Sequence, residues 1–374
     1  MFFLFWLLCV CNIDLHLHRN GEIELILYFC AMNKKVLVGI SGGIDSFVSA
    51  VLLQEQGFEV VGVCFEFWEE NDLTEVQAFC EELGIAILQR KEQVVFKQHV
   101  VDAFVDDYLN ARTPSPCCVC NGYVKWLLLN QLAEELNIPY IATGHYVKIV
   151  KHNEHYYIRQ GKDPVKDQSY FLWEISQEIL AKSLTPLGDF TKQEVRTIAQ
   201  SKGFHTMLTR KESMGVCFLK NTDYRTFISE YSGIENTPGA IYSTNGTLIG
   251  EHQGLLNYTI GQKRNIPLVA GKPMYVASMN AETNSLTVDA KENVQTQKIV
   301  LDKLNIVNVE DLSANDIWVK VRGLGLNPAG FAKVQLLENN RLSIYLSEPA
   351  WAIAAGQPVV LYQANRVIGG GYVV

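Results

Sequence analysis

Three cysteines crowd one proline-restricted stretch, "ARTPSPCCVCNGYVKW", and another stands in "RKESMGVCFLK". A thiol becomes a nucleophile or a sulfur carrier only as its thiolate, which a helix N-terminus and nearby cations favour. Cys117, Cys118 and Cys120 precede a helix expected to begin near Gly122, with Lys125 one turn on, and Cys217 has Arg210, Lys211 and Lys220 about it. Lowered pKa values and reactive thiolates are therefore expected at both stretches. Two metal alternatives stand beside this one. Cys117-x-x-Cys120 is half of a zinc motif, but the chain has no second Cys-x-x-Cys and no His-x-x-x-His to complete it. Cys117, Cys120 and Cys217 could instead ligate three irons of an iron–sulfur cluster, leaving one iron open for sulfide. Cys64 and Cys80 suit small core positions, and Cys118 is ambiguous.

The second chemical stretch is "GISGGIDS", Gly39 to Ser46. It follows the apolar run "KKVLV" and precedes a helical pattern with Val48, Val51 and Leu52 on one face and a stop at Gly57. A glycine turn between strand and helix aims backbone N–H groups and the positive end of a helix dipole at one point, which suits phosphate. A Walker loop would end Gly-Lys-Ser/Thr, whereas this one ends Gly-Ile-Asp-Ser, so phosphate is held without the lysine of an ordinary ATPase. Two further groups are candidates. His145 in "ATGHYV" sits at a strand end, and Lys166, Asp167 and Gln168 precede an aromatic run in "VKDQSYFLW", as contacts to a nucleotide or phosphate backbone would. His99, His152, His155 and His205 suit the surface.

These residues need a scaffold. A chain of 374 residues with 48% hydrophobic content supports two or three domains with full cores. From Lys35 to about Phe204, short β-branched runs alternate with helical patterns, which predicts a parallel sheet wrapped by helices with ligands at the strands' carboxyl ends. Among these elements are the strand "YIATGHYV" and the helix "VKWLLLNQLAEELN". Between about His205 and Val276 the chain is glycine-rich and irregular, as a small connecting domain would be. From about Ala277 short strands separated by turns predict an antiparallel barrel or sandwich. The expected divisions are residues 32–204, 205–276 and 277–374.

The net charge of −8 excludes binding of nucleic acid through overall charge. The charge is uneven, however: Lys192 to Arg225 carries seven basic residues against three acidic, while Glu66 to Glu82 carries seven acidic and none basic. One face could meet a polyanion. Nine cysteines, an odd number without the spacing of a secreted scaffold, favour a reducing cytoplasm. The opening "MFFLFWLLCV" is too short to span a bilayer and lacks a basic n-region, so no membrane association is expected. Met32 is expected to be the start of translation, with residues 1–31 an upstream extension or a disordered arm.

Taken together, "GISGGIDS", "TPSPCCVCN" with Lys125, "ATGHY", "KDQSYFL", "GVCF", "GEHQGLLNYTIGQKR" and "AAGQPVVLY" closely resemble the tRNA-specific 2-thiouridylase family within the PP-loop ATP pyrophosphatases, in the family's order and over nearly all of Lys34 to Val374. The resemblance implies a Rossmann-like PP-loop domain, a small linker domain and a C-terminal antiparallel β-barrel. It implies ATP-dependent 2-thiolation of the wobble uridine, with AMP and pyrophosphate released, in tRNAs for Lys, Glu and Gln. By match, Gly39, Ile40, Ser41, Gly42, Gly43, Ile44, Asp45 and Ser46 cradle the phosphates, Asp45 lies near Mg²⁺, and Phe65 and Gly144 bound the adenosine. Cys217 carries sulfur as a persulfide from a donor protein, and Cys120 is the nucleophile that either attacks this persulfide to liberate sulfide or assists its direct attack on the activated C2, leaving a transient Cys120–Cys217 disulfide. Ser115, Pro116 and Cys117 meet the target base. His145, Lys166, Asp167, Gln168, Arg322, Gly323 and Gln357 contact tRNA. The chain departs from the pattern at Cys117, where some members carry aspartate, at Ser115, where asparagine is usual, and in "VRGLG" around Arg322.

Overall fold

The computed structural model describes residues 34–69, 72–209, 215–219, 222–323, 325 and 327–374. The expected upstream extension with Met32, Cys9, Cys11 and Cys30, and the basic residues Arg210, Lys211 and Lys220, lie outside the described residues.

Five parallel strands form the first sheet: β1 (Lys35–Gly39), β2 (Glu59–Glu66), β3 (Ala86–Lys91), β4 (Tyr140–Ala142) and β7 (Ser183–Leu184), in the order β3-β2-β1-β4-β7. The reversal of strand order beside β1 opens a crevice at the carboxyl ends of β1 and β4, where such sheets take ligands. Helix α1 (Ile44–Glu55) runs from this end and is buried on nearly every side, with Phe47, Val48, Val51 and Leu52 in the core and the small Ser46 and Ser49 buried beside them. It ends at Gly57, whose φ of 83° needs a residue without Cβ strain. Helix α2 (Thr74–Glu82) covers β2 and β3, and Phe79 on it packs edge-on to Phe47 at 5.7 Å.

The "YIATGHYV" run is not one strand. Pairing stops at Ala142, and the chain turns through residues 143–146 before β5 (Val147–His152) and β6 (His155–Gln160) form a hairpin. The turn is forced by packing: a Cβ on Gly144 would lie 2.9 Å from the Asp45 carbonyl carbon and 3.0 Å from the Ser46 nitrogen. The expected helix from "VKWLLLNQLAEELN" also begins earlier. After α3 (Asp102–Leu109), α4 (Pro116–Cys120) opens with Pro116 in its first turn, passes through a π turn at Asn121–Lys125 and continues as α5 (Trp126–Glu135). The cysteines therefore lie within the helix rather than ahead of it. Helix α6 (Lys192–Ser201) starts from a capping box between Thr191 and Glu194.

Helix α7 (Tyr224–Ser232) is followed by a second sheet of β8 (Gly239–Ser243), β9 (Leu248–His252), β10 (Tyr275–Asn280) and β11 (Ser285–Asp289). The last unit is antiparallel, with β12 (Gln295–Ile306), β13 (Ile317–Lys320), β14 (Ala332–Leu337), β15 (Arg341–Trp351), β16 (Pro358–Gln363) and β17 (Arg366–Val373) around a core that includes Leu301, Ile317, Leu342, Ile344 and Leu361. This barrel is docked on the first domain beside the cysteines. Arg366 of β17 pairs with Arg159 of β6, Thr113 N–H donates to Ala355 C=O at 2.8 Å, and Tyr170 OH donates to Pro358 C=O at 2.9 Å.

Phe47 is fully buried between Phe79 and Phe204. Phe47→Ala is expected to cost about 3–5 kcal/mol of stability through the cavity it leaves. A denaturant titration that showed a loss under about 1 kcal/mol would contradict this packing.

Candidate functional site

A cavity of about 550 Å³ opens at the carboxyl ends of β1 and β4. Its wall joins the glycine loop to both cysteine stretches: Ser41, Asp45, Gly144, Cys120, Cys217 and Lys125 all line it.

The loop is arranged for an anion. Gly42 has φ 77°, and Gly43 occupies the N-cap of α1 with no side chain to cap it, which leaves the first turn's N–H groups for a ligand. Ser46 is buried and braces the loop, donating to Gly43 C=O at 2.8 Å and accepting from Ser41 N–H at 3.2 Å. Ile40 and Ile44 anchor the loop by side chains sunk in the core, and Gly39 ends β1. Asp45 is engaged on both oxygens: Lys192 Nζ lies 2.8 Å from each, and Tyr146 OH donates to Oδ1 at 2.6 Å. Lys192, at the start of α6, thus brings to this loop the cation that its own sequence lacks.

The opposite wall is aromatic. Phe65 lines the cavity and stacks on Phe67 at 5.6 Å, which stacks on Phe96 at 5.2 Å. Phe96 and Trp68 in turn hold Phe218, the neighbour of Cys217, at 6.0 and 6.1 Å. Phe218 is buried, so Cys217 is carried on a fixed point of this aromatic cluster while remaining exposed itself.

The thiols are not the lowered-pKa groups that helix position and Lys125 led one to expect. Burial pushes Cys120 up to about 11, with Lys125 pulling the other way, and Cys117 and Cys217 are also raised by their crowded surroundings against the same lysine. The expectation overweighted a cation and underweighted desolvation, which is the larger effect here. Cys118 is buried, receives a hydrogen bond from Ser115 Oγ at 3.2 Å and faces Tyr170 C=O at 3.7 Å, which makes it a packing residue. Among the described residues the cysteines are free thiols, and no group of three or more His, Cys, Asp or Glu side chains is spaced to hold a metal. Cys117, Cys120 and Cys217 as placed do not form a cradle for an iron–sulfur cluster.

His145 lines the same cavity, stacks on Trp126 at 5.7 Å and shares a 2.8 Å hydrogen bond between its Nδ1 and Thr143 Oγ1. Burial and Lys125 hold its pKa down to about 3, so it works as a neutral imidazole. Gln168 also lines the cavity, and its Oε1 accepts from Tyr146 N–H at 2.9 Å. Ser115 and Pro116 begin α4 beside it.

The other sequence candidates lie away from the cavity lining. Asp167 faces inward, its side chain 2% exposed and paired with Lys320 Nζ at 2.8 Å, with Gln160 and Ser169 also donating to it. Lys166 is half-buried, its N–H donating to Asp163 Oδ1. Arg322 donates to Ala352 C=O at 2.9 Å, and Gly323 packs so closely that a Cβ would meet the Phe171 ring at 2.6 Å. Gln357 Oε1 accepts from Ala354 N–H at 3.1 Å. Sequence reasoning missed Lys192, Tyr146 and the Phe67–Trp68–Phe96 wall. The capping box "TKQE" marked the start of α6, but nothing in it pointed back to Asp45.

Comparison with known proteins gives a consistent result over nearly all of the described chain. Residues 34–221 match the tRNA methyl transferase HUP domain, 225–290 the tRNA methyl transferase PRC-barrel domain and 296–373 the aminomethyltransferase beta-barrel domain. The chain is 40% identical over 346 residues to the tRNA-specific 2-thiouridylase MnmA 3 of Bacteroides fragilis, covering 91% of this chain and 94% of that protein. It is 36% identical over 363 residues to the tRNA-specific 2-thiouridylase MnmA of Natranaerobius thermophilus, covering 92% and 98%.

With the Cys120 thiol raised to about 11, its thiolate is a minor form at neutral pH. Alkylation of Cys120 in the substrate-free protein should climb about tenfold per pH unit from pH 7 to 10 without levelling. Peptide mass spectrometry checks this, and a plateau below pH 8 would contradict it.

Proposed function

Because the chain belongs to the tRNA-specific 2-thiouridylase family, we propose that it is an ATP-dependent tRNA sulfurtransferase that replaces the C2 oxygen of the wobble uridine with sulfur. The observation that carries this reading is the shared cavity: Cys120 and Cys217, far apart in sequence, line one space with the glycine loop. Methyl transfer, the wording of two of the matched domains, would leave those thiols and the anion-binding loop without a task.

The chemistry asks for both parts. A urea-type carbonyl is a poor electrophile and its oxygen a poor leaving group, so the oxygen is first adenylated by ATP, with pyrophosphate departing. The loop from Gly39 to Ser46 holds the departing pyrophosphate, Phe65 and Gly144 bound the adenosine, and Lys192 supplies positive charge from α6. Mg²⁺, which keeps several waters and binds through one or two carboxylates plus phosphate, fits a site with Asp45 as its protein ligand and neutralises phosphate charge there. Asp45 would then exchange Lys192 for the ion, freeing the lysine for phosphate.

Sulfur arrives on the exposed Cys217 as a persulfide from a donor protein. The Cys120 thiolate attacks the Cys217 Sγ, the bond to the outer sulfur breaks, and hydrosulfide leaves to displace AMP at C2; the two cysteines end as a disulfide, to be reduced by a dithiol. Ser115, Pro116 and Cys117 face the target base. His145, Lys166, Gln168, Arg322, Gly323 and Gln357 serve the tRNAs for Lys, Glu and Gln, and Asp167 serves them indirectly by holding its loop to Lys320. The site of action is the cytoplasm, where ATP and tRNA are found.

Nucleoside mass analysis of unmodified tRNA incubated with protein, ATP, Mg²⁺ and a persulfide donor tests this reading. ATP-dependent 2-thiouridine is expected, lost in Cys120→Ala. Cys217→Ala should fail with the persulfide donor and recover with free sulfide. Thiouridine formation without ATP, or full activity in Cys120→Ala, would contradict the proposal.

A further inference from the structure

Lys125 meets both halves of the site. Among the described residues it is the single lysine or arginine in the cavity lining, where Asp45 and Glu69 are the carboxylates. Asp45 is already held by Lys192 and Tyr146. The charge of Lys125 acts on Cys117, Cys120 and Cys217, and on the neutral His145. Cys120 and Cys217 line that cavity with it. The local backbone explains this convergence. Asn121–Lys125 is a π turn, which widens the helix by one residue per turn and sacrifices hydrogen-bond geometry, a distortion found most often where side chains are re-aimed at functional sites. The flanking segments α4 and α5 are regular and buried through Cys118, Trp126 and Leu129, so the distortion is confined to the turn between Cys120 and Trp126.

We propose that Lys125 is a further catalytic residue, the shared counter-ion on which negative charge is held as it passes between the sulfurs of Cys217 and Cys120. The inference rests on the sulfurtransferase reading above. In the exchange step one negative charge enters on the Cys120 sulfur and leaves on hydrosulfide, while the disulfide formed and the persulfide bond broken balance in electrons. The charge therefore stays single but moves from one sulfur to the next. In a cavity where burial disfavours every sulfur anion, a cation fixed at one position stabilises each of them in turn. A proton need not be delivered and removed at each stage. Burial, and after it the same lysine, disfavour a charged His145, which keeps that imidazole from competing for the sulfur anions.

Lys125→Met, Lys125→Gln and Lys125→Arg in the full-length protein separate this role from a structural one. Three quantities are read: alkylation of each cysteine at pH 8 by peptide mass spectrometry, pyrophosphate release with tRNA and ATP, and 2-thiouridine formed in one turnover from protein loaded with persulfide on Cys217. In both neutral variants the alkylation rates of Cys120 and Cys217 should fall together by about tenfold, the effect of losing one nearby charge. Sulfur transfer should fall at least as far, pyrophosphate release should stay within about threefold, and Lys125→Arg should restore alkylation and sulfur transfer toward wild type. Unchanged alkylation in a folded neutral variant would overturn the inference, as would a parallel loss of pyrophosphate release. Should Lys125→Met melt early, Lys125→Gln keeps a polar stem in place and gives the same readout. A wild-type protein that makes no 2-thiouridine would overturn the sulfurtransferase reading instead, and the alkylation rates would still decide whether Lys125 governs the sulfurs.

Discussion

The backbone of Gly144 rests against the first turn of α1, so close that a Cβ would fall 2.9 Å from Asp45 and 3.0 Å from Ser46. That contact organises the site. It ends β4 and forces the turn that presents three neighbours in three directions. Tyr146 reaches Asp45 with its hydroxyl and Gln168 with its backbone N–H. His145 lies flat on Trp126, the first residue of α5. Thr143 holds the His145 ring. The glycine loop, the aromatic-run loop and the cysteine helix are thereby fixed to one another through four consecutive residues. A side chain at position 144 would separate all three.

The consequence is a cavity with two contrasting ends. Toward α1 the groups are polar and oriented, with uncapped N–H groups and the Asp45–Lys192 pair. Toward Cys217 the wall is built of rings, from Phe65 through Phe67 and Phe96 to Phe218. Such a wall offers an anion no hydrogen-bond partner, which disfavours isolated charge beside it. The raised thiols are the direct expression of that setting.

Much of this was legible in the residues. Alternating strands and helices gave away the parallel sheet, and the glycine turn marked its ligand end, because short-range periodicity and turn chemistry are local properties. The two cysteine stretches were visible for the same reason. What stayed hidden depended on contacts between distant segments. Asp45 and Lys192 meet only in the folded chain, and Asp167, which the sequence offered as a contact to tRNA, is taken up by Lys320 of the barrel. The thiol pKa values were misjudged because sequence shows the neighbouring charge but not the burial that outweighs it. The helices from residue 93 to 109 and from 224 to 232 escaped notice, although they supply Phe96, Phe104, Phe227 and Tyr231 to the aromatic cluster behind Cys217.

The central claim is that nucleotide chemistry and sulfur chemistry occupy one space. Protection of thiols by nucleotide tests it most directly: the protein is alkylated with and without saturating ATP and Mg²⁺, in the absence of tRNA, and each cysteine is followed by peptide mass spectrometry. The shared cavity predicts that bound ATP slows alkylation at Cys120 and Cys217 together. Bound ATP that leaves both rates unchanged would contradict it.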